Sequence, residues 1–413
     1  MPNPPIQITQ TQLQRIQLAS MGLLNPPQQK ATKESVRQFI QKMGYLQIDT
    51  MQAVARAPYL ILWNHLGQYD PTWLDELLTE GALFEFHAHV LSFIPIEEFK
   101  YYRGLNLAGE RPRRIWRPEI LDQFPDIEQE VMEIIQREGP KCSSDFSAQE
   151  MPEGYHNSWG GNKPEKLIMQ VLWQKMELMV AYRKKFRRYY DLRERVHPTW
   201  NDADATSPDT AFSYLIEKSV RALGAATPKW AQDYYYLLKE HYPDKRFAQE
   251  AADGFWIPLQ VENWEKPLYM HPDNRPLLES ALNDQLPATL TTFLCPFNPL
   301  LTYRSRLEEV FNFEYRLESY TPKAKRIYGY FCLPILHNGI IIGRMDAKAW
   351  RKEKYMEIKG LFLEPNVVLN ESDIAQLEAA LWDFTRWHGL ETWKITRSDP
   401  AELKERFNPA RSQ

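Results

Sequence analysis

The sequence predicts an α+β protein built of tandem winged-helix (helix-turn-helix) modules, followed by a small antiparallel β domain with a C-terminal helix. Three observations carry this. Helical apolar spacing followed by a short β-like stretch recurs three times in the first two thirds of the chain. Glycines and Asn-Pro or Thr-Pro pairs punctuate those helices. Farther on, Asn338-Gly339 sits between two β-rich runs, the strongest short hairpin signal.

The elements follow in order. Leu13, Ile16, Gln17 and Leu18 mark a first helix, with Leu23 and Leu24 before a break at Asn25-Pro26-Pro27. Thr32 is placed to cap a second helix carrying Val36, Phe39 and Ile40 and ending at Gly44. Tyr45 to Asp49 reads as a strand, Tyr59 to Leu66 as a third apolar segment, and Leu83 to Phe86 as a β-rich tail. The second module begins with the face Ile127, Val131, Ile134 and Ile135 and turns at Gly139-Pro140. Ser143 or Ser144 would then cap a helix, residues 164–180 form another, and 178–192 form a wing-like hairpin. The third module has Phe212, Leu215, Val220 and Leu223 before Gly224, then Thr227-Pro228 as N-cap and first helical residue. Residues 254–259 and 267–269 would be its wing. Ile327 to Leu336 and Ile340 to Met345 make a hairpin, Tyr355 to Leu363 extends it, and Ile374, Leu377, Ala380, Leu381 and Phe384 mark the final helix. The boundaries expected are 1–118, 119–200, 205–277 and 283–413.

Composition narrows the function classes. Of 413 residues, 43% are hydrophobic and 25% charged, an ordinary globular balance, and 30 prolines against 17 glycines suit many short elements joined by stiff turns. A net charge of −4 argues against a nucleic-acid binder only globally, since a phosphate-binding face needs local charge. Cys142, Cys295 and Cys332 are far apart with no C-x-x-C pair, which predicts reduced thiols and no structural zinc. No signal-like N-terminus and no run near ~20 apolar residues occurs, so no membrane association is expected. The expected location is the cytoplasm, on the nucleoid when bound to DNA. No dimerisation heptad is visible, so a monomer is expected.

Cations cluster. Residues 181–196 hold Arg183, Lys184, Lys185, Arg187, Arg188, Arg193 and Arg195, interleaved with Tyr182, Phe186, Tyr189 and Tyr190. Arg103, Arg111, Arg113, Arg114 and Arg117 form a second group, and Lys348, Arg351, Lys352 and Lys354 a third. Any one of them reads equally as a solvated face. Three on a helix-turn-helix scaffold favour phosphate contacts with DNA. No phosphate loop, zinc-protease motif or dinucleotide fingerprint is present, so neither cofactor nor metal is expected. His87 and His89 would share one face of a strand, but without a third ligand packing or phosphate contact is the better reading.

Gln47-Ile48-Asp49 would place an amide and an acid side by side on a strand, with Ile48 turned into the core. Such a pair can hold and activate one water molecule. Polar-apolar-polar triplets are also commonplace on half-buried strands. The stretch Gly44 to Thr50, with Val54-Ala55-Arg56-Ala57 and Leu62-Trp63, resembles the catalytic region of the AlkZ-like DNA glycosylases. It is most similar to the YcaQ type, which carries Gln-aliphatic-Asp. Phe84 to His89 resembles the family's aromatic segment ending in Ala-His, with His87 where a large aromatic is expected. Glu177 to Arg183 and Tyr189 to Leu192 resemble its middle module. Cys295 to Leu300, Tyr328-Gly329-Tyr330 and Gly343 to Lys348 resemble its C-terminal domain, with Asn298 replacing the usual acid.

The resemblance implies three winged-helix modules, a β-barrel-like C-terminal domain, and hydrolytic release of N7-alkylguanine, including guanine tied into an interstrand crosslink. It implies double-stranded DNA as partner, with Asp49 as general base and electrostatic stabiliser and Gln47 orienting the water. N7 alkylation makes the base cationic, so it leaves without a general acid, as in an inverting glycoside hydrolase stripped of its acid. No lysine stands at the motif, which predicts a monofunctional enzyme. The expected DNA contacts are Arg183, Lys184, Lys185, Arg187, Arg188, His89, Lys348 and Arg351. Two rivals remain: a noncatalytic winged-helix regulator, and a glycosylase confined to small monoadducts.

Overall fold

A computed structural model describes residues 4–110, 118–146 and 164–407. Helices and short strands alternate along the chain, an α+β fold. The chain divides into two compact units: the described residues up to Pro71 with those from Leu215 onward, and Thr72–Tyr214. Among the described residues no helix is long and apolar enough to cross a membrane.

In the first unit, Thr9 and Gln12 form a capping box on helix Gln10–Met21. Thr32 and Ser35 do the same for Lys33–Met43, whose stripe Val36, Phe39, Ile40 and Met43 is buried. That helix stops where predicted, at Gly44, with φ 79°. The apolar segment after it is the helix Ala57–Leu66. Helix Pro208–Leu223, which enters this unit at Leu215, likewise stops before Gly224, with φ 81°. Thr227 accepts from the Trp230 N–H at 3.2 Å to cap Pro228–Asp233. The β-rich runs expected at 254–259 and 267–269 pair as Ile257–Val261 antiparallel to Leu268–Met270. Ile6–Ile8 adds a third strand, parallel to Ile257–Val261, from more than two hundred residues away.

The C-terminal sheet has strands in the order Thr392–Ile395, Tyr355–Leu363, Ile340–Trp350, Cys332–His337 and Thr291–Phe293. Asn338 and Gly339, with φ 48° and 84°, form the tight turn its sequence announces. Three expectations are corrected here. The hairpin starts at Cys332, because residues 327–331 are held as a loop. The sheet is mixed, because Thr392–Ile395 and Ser398–Asp399 run parallel to Tyr355–Leu363. A parallel neighbour needs a crossover. Helix Glu371–Trp387 supplies it and is therefore internal rather than terminal. Among the described residues the strand order has two ends, so the barrel-like sheet is an open one. The helix packs on it through Phe384 against Phe293, centroids 5.4 Å apart, and Trp382 against Trp393.

The second unit pairs Leu83–His87 with Leu91–Pro95 and Leu178–Lys184 with Arg187–Leu192 as two hairpins. Helices Pro125–Glu138 and Pro164–Gln174 bury Ile127, Val131 and Ile135 against Leu167, Ile168, Val171 and Leu178. Helix 164–180 is corrected to end at Gln174, because Met176 takes a left-handed φ of 58° and the chain turns into the strand. Ser143 and Ser144 lie in a turn closed by Asp145 accepting from the Cys142 N–H at 2.9 Å, and cap no helix in the described residues. Arg111, Arg113, Arg114 and Arg117 lie outside the described residues. Arg103 is buried and pairs with Asp202 at 2.7 Å, so it faces no solvent.

Candidate active site and nucleic-acid interface

The turn after Lys33–Met43 sets up the polar pair. A Cβ on Gly44 would lie 2.0 Å from the Tyr235 hydroxyl, so glycine is required by contact as well as by φ. Tyr45 packs against Tyr234 and Tyr235, at 5.0 and 5.5 Å, and the Tyr234 hydroxyl donates to the Met43 carbonyl at 2.9 Å. Ile48 is buried, as expected. The strand itself is only Leu46–Gln47, so Asp49 lies beyond it and is not aligned with Gln47 by strand geometry. Asp49 instead closes a local turn, its Oδ1 accepting from the Met51 N–H at 2.7 Å. That is the one hydrogen bond its carboxylate accepts among the described residues, and it leaves Oδ2 open. The side chain is half-buried, and burial raises its carboxyl above the usual carboxylate range, against the opposing effect of the Met51 N–H. Gln47 is buried to 8% exposure.

Behind this turn lies a buried polar network that unites two of the quoted motifs. Asn64, one residue after Trp63, accepts from the Cys295 N–H and donates to the Phe293 carbonyl, both at 2.8 Å. Asn298 donates to His65 Nε2 at 2.9 Å while its Oδ1 accepts from the Leu300 N–H at 3.1 Å. Burial pushes His65 down to about 3, so the ring is neutral and Nε2 is an acceptor. An amide at 298 matches that acceptor. A carboxylate there could only accept, so it would need the ring's proton on Nε2 instead. Burial pushes the Cys295 thiol up, and the charge of Asp49 adds to it.

The basic hairpin is sorted by the structure into two kinds of cation. Glu85, its side chain fully buried, receives Arg183 through Nε and through Nη2, the latter at 2.8 Å. Arg188 Nε reaches the same carboxylate at 3.1 Å and lies over Trp173 at 4.7 Å. Arg183 also donates to the Phe186 carbonyl at 2.7 Å and stacks over its ring at 4.4 Å. Arg183 and Arg188 therefore hold the hairpin rather than face outward. Lys185 and Phe186 form its tip with φ of 49° and 67°, a turn usually given to Asn-Gly. Arg183 supports this strained tip, and Lys184, Lys185 and Arg187 are exposed around it. Arg193 and Arg195 turn to Asp202, Asp191 and the Ile135 carbonyl.

His87 ends its strand while His89 lies buried in the following turn, so the two do not share a strand face. Lys348 sits 3.4 Å above the Trp350 ring. Arg351 donates to the Val54 carbonyl at 2.5 Å, fastening the segment that follows Asp49. Glu85 was missed in the sequence. Its signal was an acid between Phe84 and Phe86 on a strand otherwise apolar, where a buried charge demands a partner.

Residues 40–387 match the family model described as "DNA glycosylase AlkZ-like". The fold is shared with a solved structure, the Streptomyces sahachiroi DNA glycosylase AlkZ, at a TM-score of 0.64. Identity is 14%, covering 95% of this chain and 100% of that one.

Proposed function

The chain belongs to the AlkZ-like DNA glycosylase family, and on that premise we propose that it hydrolyses the N-glycosidic bond of N7-alkylguanine in double-stranded DNA, unhooking interstrand crosslinks as well as excising monoadducts. The observation that carries the reading is Asp49, half-buried and tied to Met51 through one oxygen, with the other left for a water. Gln47 orients that water. Its oxygen attacks C1′ as the C1′–N9 bond breaks, the bonding pair neutralises the cationic base, and the water's proton passes to Asp49. The negative carboxylate also stabilises positive charge developing on the sugar. The base leaves already activated, so no general acid and no lysine adduct is required. The reading keeps the modular division 1–118, 119–200, 205–277 and 283–413, with winged-helix modules acting as a monomer.

A defined N7-linked crosslinked duplex, incubated with the protein and run on a denaturing gel, tests this directly. Separated strands support it. Release of N7-methylguanine with the crosslink intact would restrict the enzyme to monoadducts, and release of neither would leave a DNA-binding regulator.

Two further outcomes are expected. The raised carboxyl of Asp49 must be ionised to act, so enzymatic release should fall on acidification with an apparent pKa above the ordinary aspartate value. A flat rate down to the ordinary value, after subtracting spontaneous depurination, would exclude Asp49 as the base. Replacing Lys184, Lys185 and Arg187 by alanine should make the slope of log affinity against log salt shallower, by about one unit for each lost phosphate contact. An unchanged slope would return those three to the solvated-face reading.

A further inference from the structure

The segment 318–331 joins two motifs whose purpose the site leaves unexplained, Tyr328-Gly329-Tyr330 and Asp346. Five consecutive backbone N–H groups there turn onto two carboxylates. Glu318, buried to 8% exposure, accepts from Ile327, Tyr328 and Gly329 at 3.0, 2.9 and 3.0 Å. Asp346 accepts from Tyr330 and Phe331. Burial opposes charge on Glu318, and the three N–H groups outweigh it, holding the carboxyl below its usual range. Gly329 has φ 154°, and a Cβ there would lie 2.3 Å from an Asp346 oxygen. Arg326 Nε closes the loop onto the Thr321 carbonyl at 2.8 Å.

A loop fastened so thoroughly presents apolar side chains to water. Tyr320 is 80% exposed and Ile327 70%, and Tyr330 is exposed as well. Lys323 and Lys325 project between them, and no carboxylate pairs with either among the described residues. Apolar side chains flanking unpaired cations on a fastened backbone fit a partner that offers flat apolar faces beside negative charge. Stacked bases flanked by phosphates are such a partner. The loop also packs on the segment that carries Cys295. Phe331 meets Phe297, centroids 6.0 Å apart, two residues past the Cys295 thiol that feels Asp49.

We propose that the 320–330 loop is a preformed wedge that enters the duplex beside the lesion, with Ile327 and Tyr320 against base faces and Lys323 and Lys325 on the flanking phosphates. The proposal rests on the glycosylase reading for the position of the lesion. Glu318 and Asp346 are positioning residues, since ordering the loop in advance removes an entropic cost from binding. A crosslinked guanine cannot be swung fully out of the helix. A wedge that parts the stack would expose its sugar without requiring that.

The test uses the full chain on a labelled duplex containing N7-methylguanine with 2-aminopurine as neighbour, titrated at several salt concentrations. Wild type should raise the 2-aminopurine fluorescence as the stack opens. Tyr320→Ala with Ile327→Ala should weaken binding by about 10-fold, lose that fluorescence and keep the salt slope, because base stacking carries no counterion release. Lys323→Ala with Lys325→Ala should make the slope shallower by about two units. Glu318→Gln should keep the slope yet reduce the fluorescence. All four aromatic, aliphatic and lysine positions are exposed, so Tm should be unchanged in those variants. Wild-type affinity and fluorescence in the apolar double variant would overturn the wedge. So would loss of binding to anionic vesicles with DNA binding intact. If wild type releases base and the loop variants match it throughout, the wedge fails alone. If wild type releases none, the hydrolase reading fails, while the binding and fluorescence arms still decide the loop.

Discussion

Asp49→Asn should lower base release by roughly 10²–10⁴-fold, the usual cost of losing a positioned general base, with a further loss from the missing charge beside the sugar. DNA binding should persist, because the amide keeps the shape and its oxygen can still accept from Met51. Stability should hold or rise. Burial raises the carboxyl in the folded chain above its unfolded value, so the folded state binds more protons between the two. Stability is therefore lost as pH rises through that window, and asparagine avoids the loss. An inactive variant with equal or higher Tm at neutral pH separates catalysis from folding. Gln47→Ala should slow release less, and the double variant should fall short of the product of the single losses, since both residues act on one water. Borohydride should trap no enzyme–DNA adduct. Wild-type release by folded Asp49→Asn would require another carboxylate.

The second large effect is on stability. Glu85→Ala should destabilise the Thr72–Tyr214 unit by about 3–5 kcal/mol, because it strands a buried guanidinium without its counter-charge. The side chains of Glu85 and Arg183 are 0% and 5% exposed, so water cannot replace the lost partner. Glu85→Gln combined with Arg183→Met should recover part of that loss, since Arg183 is no longer stranded, whereas Arg188, 21% exposed, still loses its counter-charge. Hydrogen exchange over residues 178–192 would locate the effect, and a denaturation midpoint would size it. A consequence for binding follows. With Arg183 released, the tip at Lys185 and Phe186 loses its support, so DNA affinity should fall although Lys184, Lys185 and Arg187 are untouched. Exchange rates and a midpoint equal to wild type would remove Glu85 from this role.

Much of the local architecture was legible from residue order. Thr32, Gly44, Gly224 and the Thr227-Pro228 pair mark helix ends correctly because capping is decided within a few residues. Asn338-Gly339 announces its hairpin for the same reason. The strand expected at 45–49 shortened to two residues because Asp49 bonds its own backbone, a competition that side-chain alternation does not register. The basic hairpin was visible, but its division into Arg183 and Arg188 inside and Lys184, Lys185 and Arg187 outside was not. That division depends on Glu85, almost a hundred residues away.

By itself, the order of residues determined where helices begin and end, which thiols and cations exist, and the Gln47–Asp49 pattern that resembles a catalytic motif. Tertiary structure alone decided that Ile6–Ile8 completes a sheet with Ile257–Val261, and that the Glu371–Trp387 helix is a crossover. It also decided that Asn298 serves a neutral His65, and that five N–H groups of one loop converge on Glu318 and Asp346. The physical reason is range. Caps and turns are settled by groups a few positions apart, whereas a buried charge or amide takes whatever partner the packed chain brings to it.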